Sequence, residues 1–338
     1  MAVAEINSSE NPTWKKININ IDMKNIILLI LSLFFLQCTA QNTEENTNSM
    51  KHTLLPYHFP TKYLQLNEGE IAYQKVGKGK QVLIFVHGLS SNSDAWYRNI
   101  EELKKDFTCI AIDLPGYGRS FKNADEFTAT YFTEILKEFT HKLDIKKFTL
   151  VGHSMGGQAS MKFASKYPEK LDKLILIAPA GIEQFTEFEG NAMKIVMNPK
   201  NIMATSEEQI ERNYQLNFYK MPKEADQMIQ DRKNIVNASD FDAHAVAIQK
   251  SVNGMLDDKV IEELGKIKTP TLILFAKNDM LIPNKYLHPT LSIDALAKTA
   301  QESIKNSKLV MIDEAGHFLQ FEKPAEVNKE IRQFMSAK

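Results

Sequence analysis

The chain has 338 residues, 43% of them hydrophobic, and its 41 basic and 42 acidic side chains leave a formal net charge of −1. That length and apolar content suffice for one core carrying an insertion. The near-neutral balance, with no basic patch interleaved with aromatics, speaks against nucleic-acid binding. Two cysteines, Cys38 and Cys109, cannot build a disulfide framework.

The first 50 residues follow different rules from the rest. Met23-Lys24-Asn25 precedes an apolar run from Ile26 to Leu36, then Gln37-Cys38, then the polar stretch Thr39 to Ser49. A run of eleven residues is too short to cross about 30 Å of hydrocarbon as a helix, but it suits the h-region of a signal peptide. A cysteine closing that region resembles a bacterial lipoprotein signal, although Gln37 departs from the small residue that such signals carry. The resemblance implies removal of the leader, acylation of Cys38, and a chain held by lipid at a bacterial cell envelope, facing the periplasm or exterior. Residues 1–22 are polar and aperiodic, which makes Met23 the more natural start. The alternative is an uncleaved signal anchor with Lys15, Lys16 and Lys24 on its cytoplasmic side.

From about Lys62 the pattern becomes regular. Tyr63–Leu66 and Ile71–Val76 read as an antiparallel pair joined at Asn67-Glu-Gly69. Val82–Val86 is a continuous apolar run, as expected of a strand buried on both faces. A helical pattern from Trp96 to Lys105 leads to a strand at Phe107–Ile112, where Cys109 reads as a small buried hydrophobe. A helix from about Phe127 to Leu143 then precedes the most informative run of the chain.

That run, Phe148-Thr-Leu-Val-Gly-His-Ser154-Met-Gly-Gly, sets a G-x-S-x-G pentapeptide behind an apolar strand and ahead of a helix that stops before Pro168. A strand turning sharply into a helix holds the serine in strained geometry with its hydroxyl exposed, and Gly152 and Gly156 leave room for neighbouring backbone. The partners of such a serine follow in the order acid, then histidine. Strands at Thr271–Ala276 and Lys308–Ile312 are followed by Asp279 and by Gly316-His317, at strand ends where open α/β sheets place their sites. Alternation of strands with helices, including Leu174–Ile177 after the elbow, implies a mostly parallel sheet flanked by helices.

The chain here resembles the α/β-hydrolase superfamily, in its branch of esterases and lipases with a lid. The matching residues are His87-Gly88-Leu89, Asp113-Leu-Pro-Gly-Tyr-Gly-Arg-Ser120, Gly152-His-Ser154-Met-Gly-Gly157, Asp279 with Pro283, and Gly316-His317 with Glu322-Lys-Pro324, within residues 62–337. The resemblance implies a leader and tether at 1–50, a core at 51–181 and 265–338, and a helical lid at 182–264. Strand signals do vanish between Gly181 and Leu264, where Met and aromatic residues are frequent. It also implies a catalytic triad of Ser154, Asp279 and His317, with an oxyanion hole formed by the backbone N–H groups of Leu89 and Met155.

Asp113 precedes the serine and heads a Pro-Gly turn, which suits a structural role; it and Glu183 are the alternative acids. His87 and His153 shape their turns, and His52, His58, His141, His244 and His288 have no neighbours at metal-ligand spacing. Gly77-Lys-Gly79-Lys80 lacks phosphate-loop spacing. The expectation is therefore an enzyme without metal or cofactor, acting on a small apolar ester. A carbon–carbon bond hydrolase and a cofactor-free haloperoxidase share these motifs, and a lipid-anchored binding protein on the same scaffold is the alternative outside enzymology.

Overall fold

The computed structural model describes residues 48–337. The apolar run of the leader, Cys38 and the stretch up to residue 47 lie outside the described residues. Eight strands form one sheet: β1 (Thr61–Gln65), β2 (Glu70–Val76), β3 (Val82–Val86), β4 (Thr108–Ile112), β5 (Phe148–His153), β6 (Leu171–Ile177), β7 (Thr271–Ala276) and β8 (Ser307–Ile312). Their order is β1-β2-β4-β3-β5-β6-β7-β8. The first two pairings are antiparallel, and from β4 to β8 every pairing is parallel.

Burial follows position in the sheet. Every residue of β5 and of β7 is buried, whereas β1 and β8, at the edges, are exposed or half-buried except for Ile312. Continuous apolar runs are what a strand covered on both faces requires, since no face is left for polar side chains. The expected pairs reappear with bounds shifted by a residue or two. β6 is the exception: it starts at Leu171, three residues before the apolar run, through the exposed Asp172 and through Lys173, whose ammonium donates to the carbonyls of Phe334 and Ala337 at 2.6 Å.

Helices flank the sheet. α1 (Met50–Thr53) and α2 (Tyr97–Leu103) precede α3 (Ala129–Lys142), whose first turn is capped by Thr128 accepting from the Tyr131 N–H at 3.0 Å. α4 (Met155–Lys166) follows the elbow, and Phe163 packs edge-on against Phe148 of β5, centroids 5.6 Å apart. Between β6 and β7 the described residues contain no strand: α5 (Glu187–Val196), α6 (Pro199–Met203), α7 (Glu207–Gln215), α8 (Asp226–Asn234) and α9 (Phe241–Asp257) form a helical insertion. α5 and α7 each open with a reciprocal capping box, Thr186 with Glu189 and Ser206 with Gln209. α10 (Ile293–Ser303), α11 (Leu319–Glu322) and α12 (Pro324–Ser336) complete the chain.

The segment from Asn48 to Phe59 is tied to both parts of the molecule. Met50 and Leu54 pack with Ile235, Ala238 and Phe241 of the insertion. The Met50 N–H donates to Asp240 and the Leu55 N–H to Asp231, both at 2.7 Å. On the core side, the Tyr57 hydroxyl donates to Asp113 at 3.0 Å and the His58 N–H to Asp94 at 2.8 Å. Burial raises the Asp231 carboxyl to about 7, against which the Leu55 hydrogen bond acts.

The turn between β5 and α4 leaves no room for side chains at two of its glycines. A Cβ on Gly152 would collide with the Gly156 carbonyl and the Ser160 hydroxyl, and one on Gly156 with the carbonyls of Val86 and His87. Backbone cannot yield there without shifting β3. Gly156→Ala is therefore expected to destabilise the fold by about 1–3 kcal/mol through overpacking, read as a lower urea midpoint at unchanged slope. An unchanged midpoint would show that the contact gives way.

Candidate active site

Ser154 sits between β5 and α4 with φ 51° and ψ −118°, a backbone region that residues with a Cβ rarely occupy. Three hydrogen bonds hold it there. Its N–H donates to the Ile177 carbonyl at 3.1 Å, and its carbonyl accepts from the Ala180 N–H at 3.0 Å and the Gln158 N–H at 3.1 Å. The end of β6 and the first turn of α4 thus grip the serine from two sides. Its side chain opens onto a cavity of about 710 Å³.

The residues that sequence reasoning set far apart meet at this cavity. His317 lines it together with Ser154. The His317 Nδ1–H donates to Asp279 Oδ2 at 2.8 Å, and both side chains are buried. The other oxygen of Asp279 accepts from the N–H groups of Leu281 and Ile282, at 2.8 and 3.0 Å. The carboxylate is thereby aimed by its own loop, and it fixes the imidazole tautomer that leaves Nε2 free of a proton when His317 is neutral.

Leu89 lines the cavity beside Gly88. A Cβ on Gly88 would lie 3.1 Å from the Ser154 Cβ, so the start of this loop passes directly against the serine. Met155 is the first residue of α4, and the first N–H groups of a helix have no intrahelical acceptor. Both backbone N–H groups are thus carried on elements adjoining Ser154.

Of the alternative acids, neither pairs with His317. Asp113 Oδ1 accepts from the Ser93 N–H at 2.7 Å, and its Oδ2 accepts from the Arg119 N–H at 2.7 Å and the Tyr57 hydroxyl. It organises the turn that it heads. Glu183 pairs with His288 at 2.6 Å. His87 donates through Nδ1 to the Gly88 carbonyl at 2.7 Å and accepts the Leu114 N–H at Nε2. Burial pushes its value below that of an ordinary histidine, which keeps Nε2 available as an acceptor.

Two residues that belong to the sequence motifs, His153 and Glu322, support His317 in ways the motifs do not specify. His153 Nε2–H donates to the His317 carbonyl at 3.0 Å, with ring centroids 4.8 Å apart. Burial first and the neighbouring His317 second push His153 well below the ordinary histidine range, so it stays neutral. Glu322 accepts from the Gly316 N–H at 2.8 Å and the Tyr219 N–H at 3.1 Å, joining the histidine loop to the insertion. The Phe318 N–H donates to the Asn217 carbonyl across the same seam. Cys109, buried in β4, has its thiol pushed up to about 12 by desolvation and is chemically inert at neutral pH. Among the described residues no group of three or more His, Cys, Asp or Glu is placed to hold a metal ion.

Comparison with known proteins agrees with this architecture. Human (Homo sapiens) monoacylglycerol lipase ABHD6 is 26% identical over 293 residues, 82% of this chain and 82% of that protein. The 2-hydroxy-6-oxononadienedioate/2-hydroxy-6-oxononatrienedioate hydrolase 1 of Pseudomonas putida is 24% identical over 82% of this chain and 96% of its own length. Among solved structures, one described as a probable hydrolytic enzyme from Pseudomonas aeruginosa PAO1 superposes with a TM-score of 0.76 at 22% identity, covering 86% of this chain and 98% of that one. The model of the alpha/beta hydrolase fold family matches residues 81–324. With that match spanning most of the chain, the protein belongs to the α/β-hydrolase family.

Proposed function

We propose that the protein is a serine hydrolase that cleaves carboxylic esters with apolar acyl or alcohol parts through Ser154, His317 and Asp279. The observation that carries this reading is the joint one: a serine on a strained elbow and a carboxylate-bound histidine open onto a single cavity. A serine hydroxyl is a weak nucleophile at neutral pH, so His317 takes its proton during attack and returns it to the leaving alkoxide. Asp279 holds the imidazole and stabilises the imidazolium. The backbone N–H groups of Leu89 and Met155 receive the oxyanion of the tetrahedral intermediate. Water then repeats the sequence on the acyl-enzyme.

The cavity walls favour an apolar substrate. Leu89, Phe185, Met193, Met197, Met255 and Phe318 are among the lining residues, and a mostly apolar wall with few polar groups suits a small-molecule ester. Two of the charged wall residues have partners already: Lys194 donates to Asp257 at 2.6 Å and Glu183 accepts from His288. α5 covers the cavity as a lid would, which gives the insertion the role of controlling entry. The name of the Pseudomonas putida relative favours a second reading, hydrolysis of a carbon–carbon bond. A diacid substrate would need unpaired cations on the wall, and Lys259, exposed at the rim, is the one lining lysine besides the paired Lys194.

Ser154→Ala, His317→Ala and Asp279→Asn are each expected to lower kcat on p-nitrophenyl esters by about 10³- to 10⁶-fold while folding is retained. Asp279→Asn with near-normal turnover would remove Asp279 from this role.

We further propose that the chain is anchored to a bacterial membrane by lipid on Cys38, with its enzymatic part outside the cytoplasm. The support is the eleven-residue apolar run that ends at Leu36, with Gln37 between it and Cys38, and the polar stretch after it. No helix of the described residues is long and apolar enough to cross a membrane. Acyl chains contribute about 0.8 kcal/mol per buried CH₂, so more than one is needed for stable anchoring. Cys38→Ser is expected to release the protein or leave an unprocessed precursor. Metabolic labelling with a palmitate analogue checks this: a wild-type chain that takes up no label and keeps residues 23–37 would be a signal-anchored protein instead.

A further inference from the structure

One cluster on the cavity rim has no part in the chemistry above. Glu183, nearly buried in the segment between β6 and α5, accepts from the Asn284 N–H at 2.9 and 3.1 Å through its two oxygens. It also accepts the Nδ1–H of His288 at 2.6 Å. On the far side of the ring, His288 Nε2 lies 3.4 Å from Glu189 Oε1. The other oxygen of Glu189 accepts from the N–H and the hydroxyl of Thr186, at 2.7 Å each, and so caps α5. Phe185 stacks on the imidazole with centroids 5.2 Å apart and planes 24° from parallel.

The two sides of this clasp are not equivalent. One side is the root of the helical insertion, where Glu183, Phe185 and Thr186 line the cavity. The other is the loop from Asp279 to His288, whose Leu281, Ile282 and Asn284 line the opposite wall. That loop begins with Asp279 gripping its own Leu281 and Ile282 N–H groups, and Glu183 grips it again at Asn284. A loop of irregular backbone is held near the cavity only where its polar groups find partners, and here the partner is a carboxylate that is costly to bury unless paired.

We propose that Glu183 and His288 are positioning residues for Asp279: the clasp fixes the Asp279–His288 loop in register with the root of the insertion, so that Asp279 presents Oδ2 to His317. The proposal rests on the reading of Asp279 as the triad acid. Charge gives it a signature that packing alone would not have. The groups facing His288 are Glu183 and Glu189, which together raise its value above that of an ordinary histidine, with the Glu183 hydrogen bond the largest cause. Those facing Glu183 are His288 and Lys285, and burial, the largest cause, raises its carboxyl. A histidine whose value is raised by its partners holds the clasp at lower pH, and the clasp weakens as pH rises through that raised value. At the acid end, protonation of Glu183 removes the same pair. The clasp is therefore charged in the window between the two.

The test uses the full chain, wild type and the variants His288→Gln and Glu183→Gln, with p-nitrophenyl acetate as substrate from about pH 5 to about pH 9, a range that brackets histidine titration. Fluorophosphonate titration counts reactive serines, so that kcat is expressed per competent site and misfolded protein drops out. Glu183→Gln is expected to lose about 10- to 100-fold in kcat, the scale of a small misplacement of a catalytic group, with KM unchanged. Wild-type kcat falls on the alkaline side, and in His288→Gln, which keeps a donor but cannot titrate, that fall disappears. An effect confined to KM, or an alkaline fall that His288→Gln leaves in place, overturns the proposal. A wild-type protein that neither labels nor turns over would instead sink the ester-hydrolase reading.

Discussion

The strained backbone of Ser154 is the constraint on which the rest of the site depends. A residue with a Cβ at φ 51° and ψ −118° persists only where its surroundings over-determine it, at a cost on the order of 1–3 kcal/mol. Here the surroundings are three backbone hydrogen bonds, to Ile177 at the end of β6, to Ala180 beyond it and to Gln158 in α4. Glycines at 152 and 156 let β3, β5 and α4 approach closely enough for those bonds to form. The central, fully buried strands supply the rigidity that this requires. Relaxing the elbow would move the serine hydroxyl, the start of α4 and the N–H of Met155 together.

Around that fixed point the remaining groups are held by backbone donors and acceptors more than by one another. Asp279 is aimed by the N–H groups two and three residues ahead of it, and His317 by the His153 ring on its carbonyl. Glu322 and Asn217 join the histidine loop to the helical insertion. Glu183 joins the Asp279–His288 loop to the root of the same insertion. Both loops that follow the last two strands are therefore hydrogen-bonded to residues between β6 and β7.

Much of this architecture was legible in the sequence because it rests on short-range pattern. Continuous apolar runs such as Val82–Val86 and Thr271–Ala276 marked the buried strands, and G-x-S-x-G behind Phe148–Val151 marked the elbow. The motif order singled out Ser154, Asp279 and His317; Ser154 and His317 line the cavity, and Asp279 accepts from His317 behind it. α10 was missed although Ile293, Leu296, Ala297 and Ala300 have helical spacing behind Ser292, because the glycine- and proline-free stretch carried no motif to draw attention to it. What had no local signal was long-range pairing. His288 looked isolated, since Glu183 lies 105 positions away, and Tyr57 gave no hint that its hydroxyl would reach Asp113, 56 positions on. Residues 48–50 read as the end of the tether for the same reason: their polar contacts are with Asn237, Ser239 and Asp240, none of them near in sequence.

The central claim is that Ser154 forms an acyl-enzyme, and rapid-quench mass spectrometry on a slowly deacylating p-nitrophenyl ester tests it most directly. The account predicts a burst of about one equivalent of p-nitrophenol per site, the kinetic fingerprint of covalent catalysis, with the acyl mass on the peptide that contains Ser154. Turnover with no acyl mass on that peptide, or acyl mass carried by another residue, would contradict it.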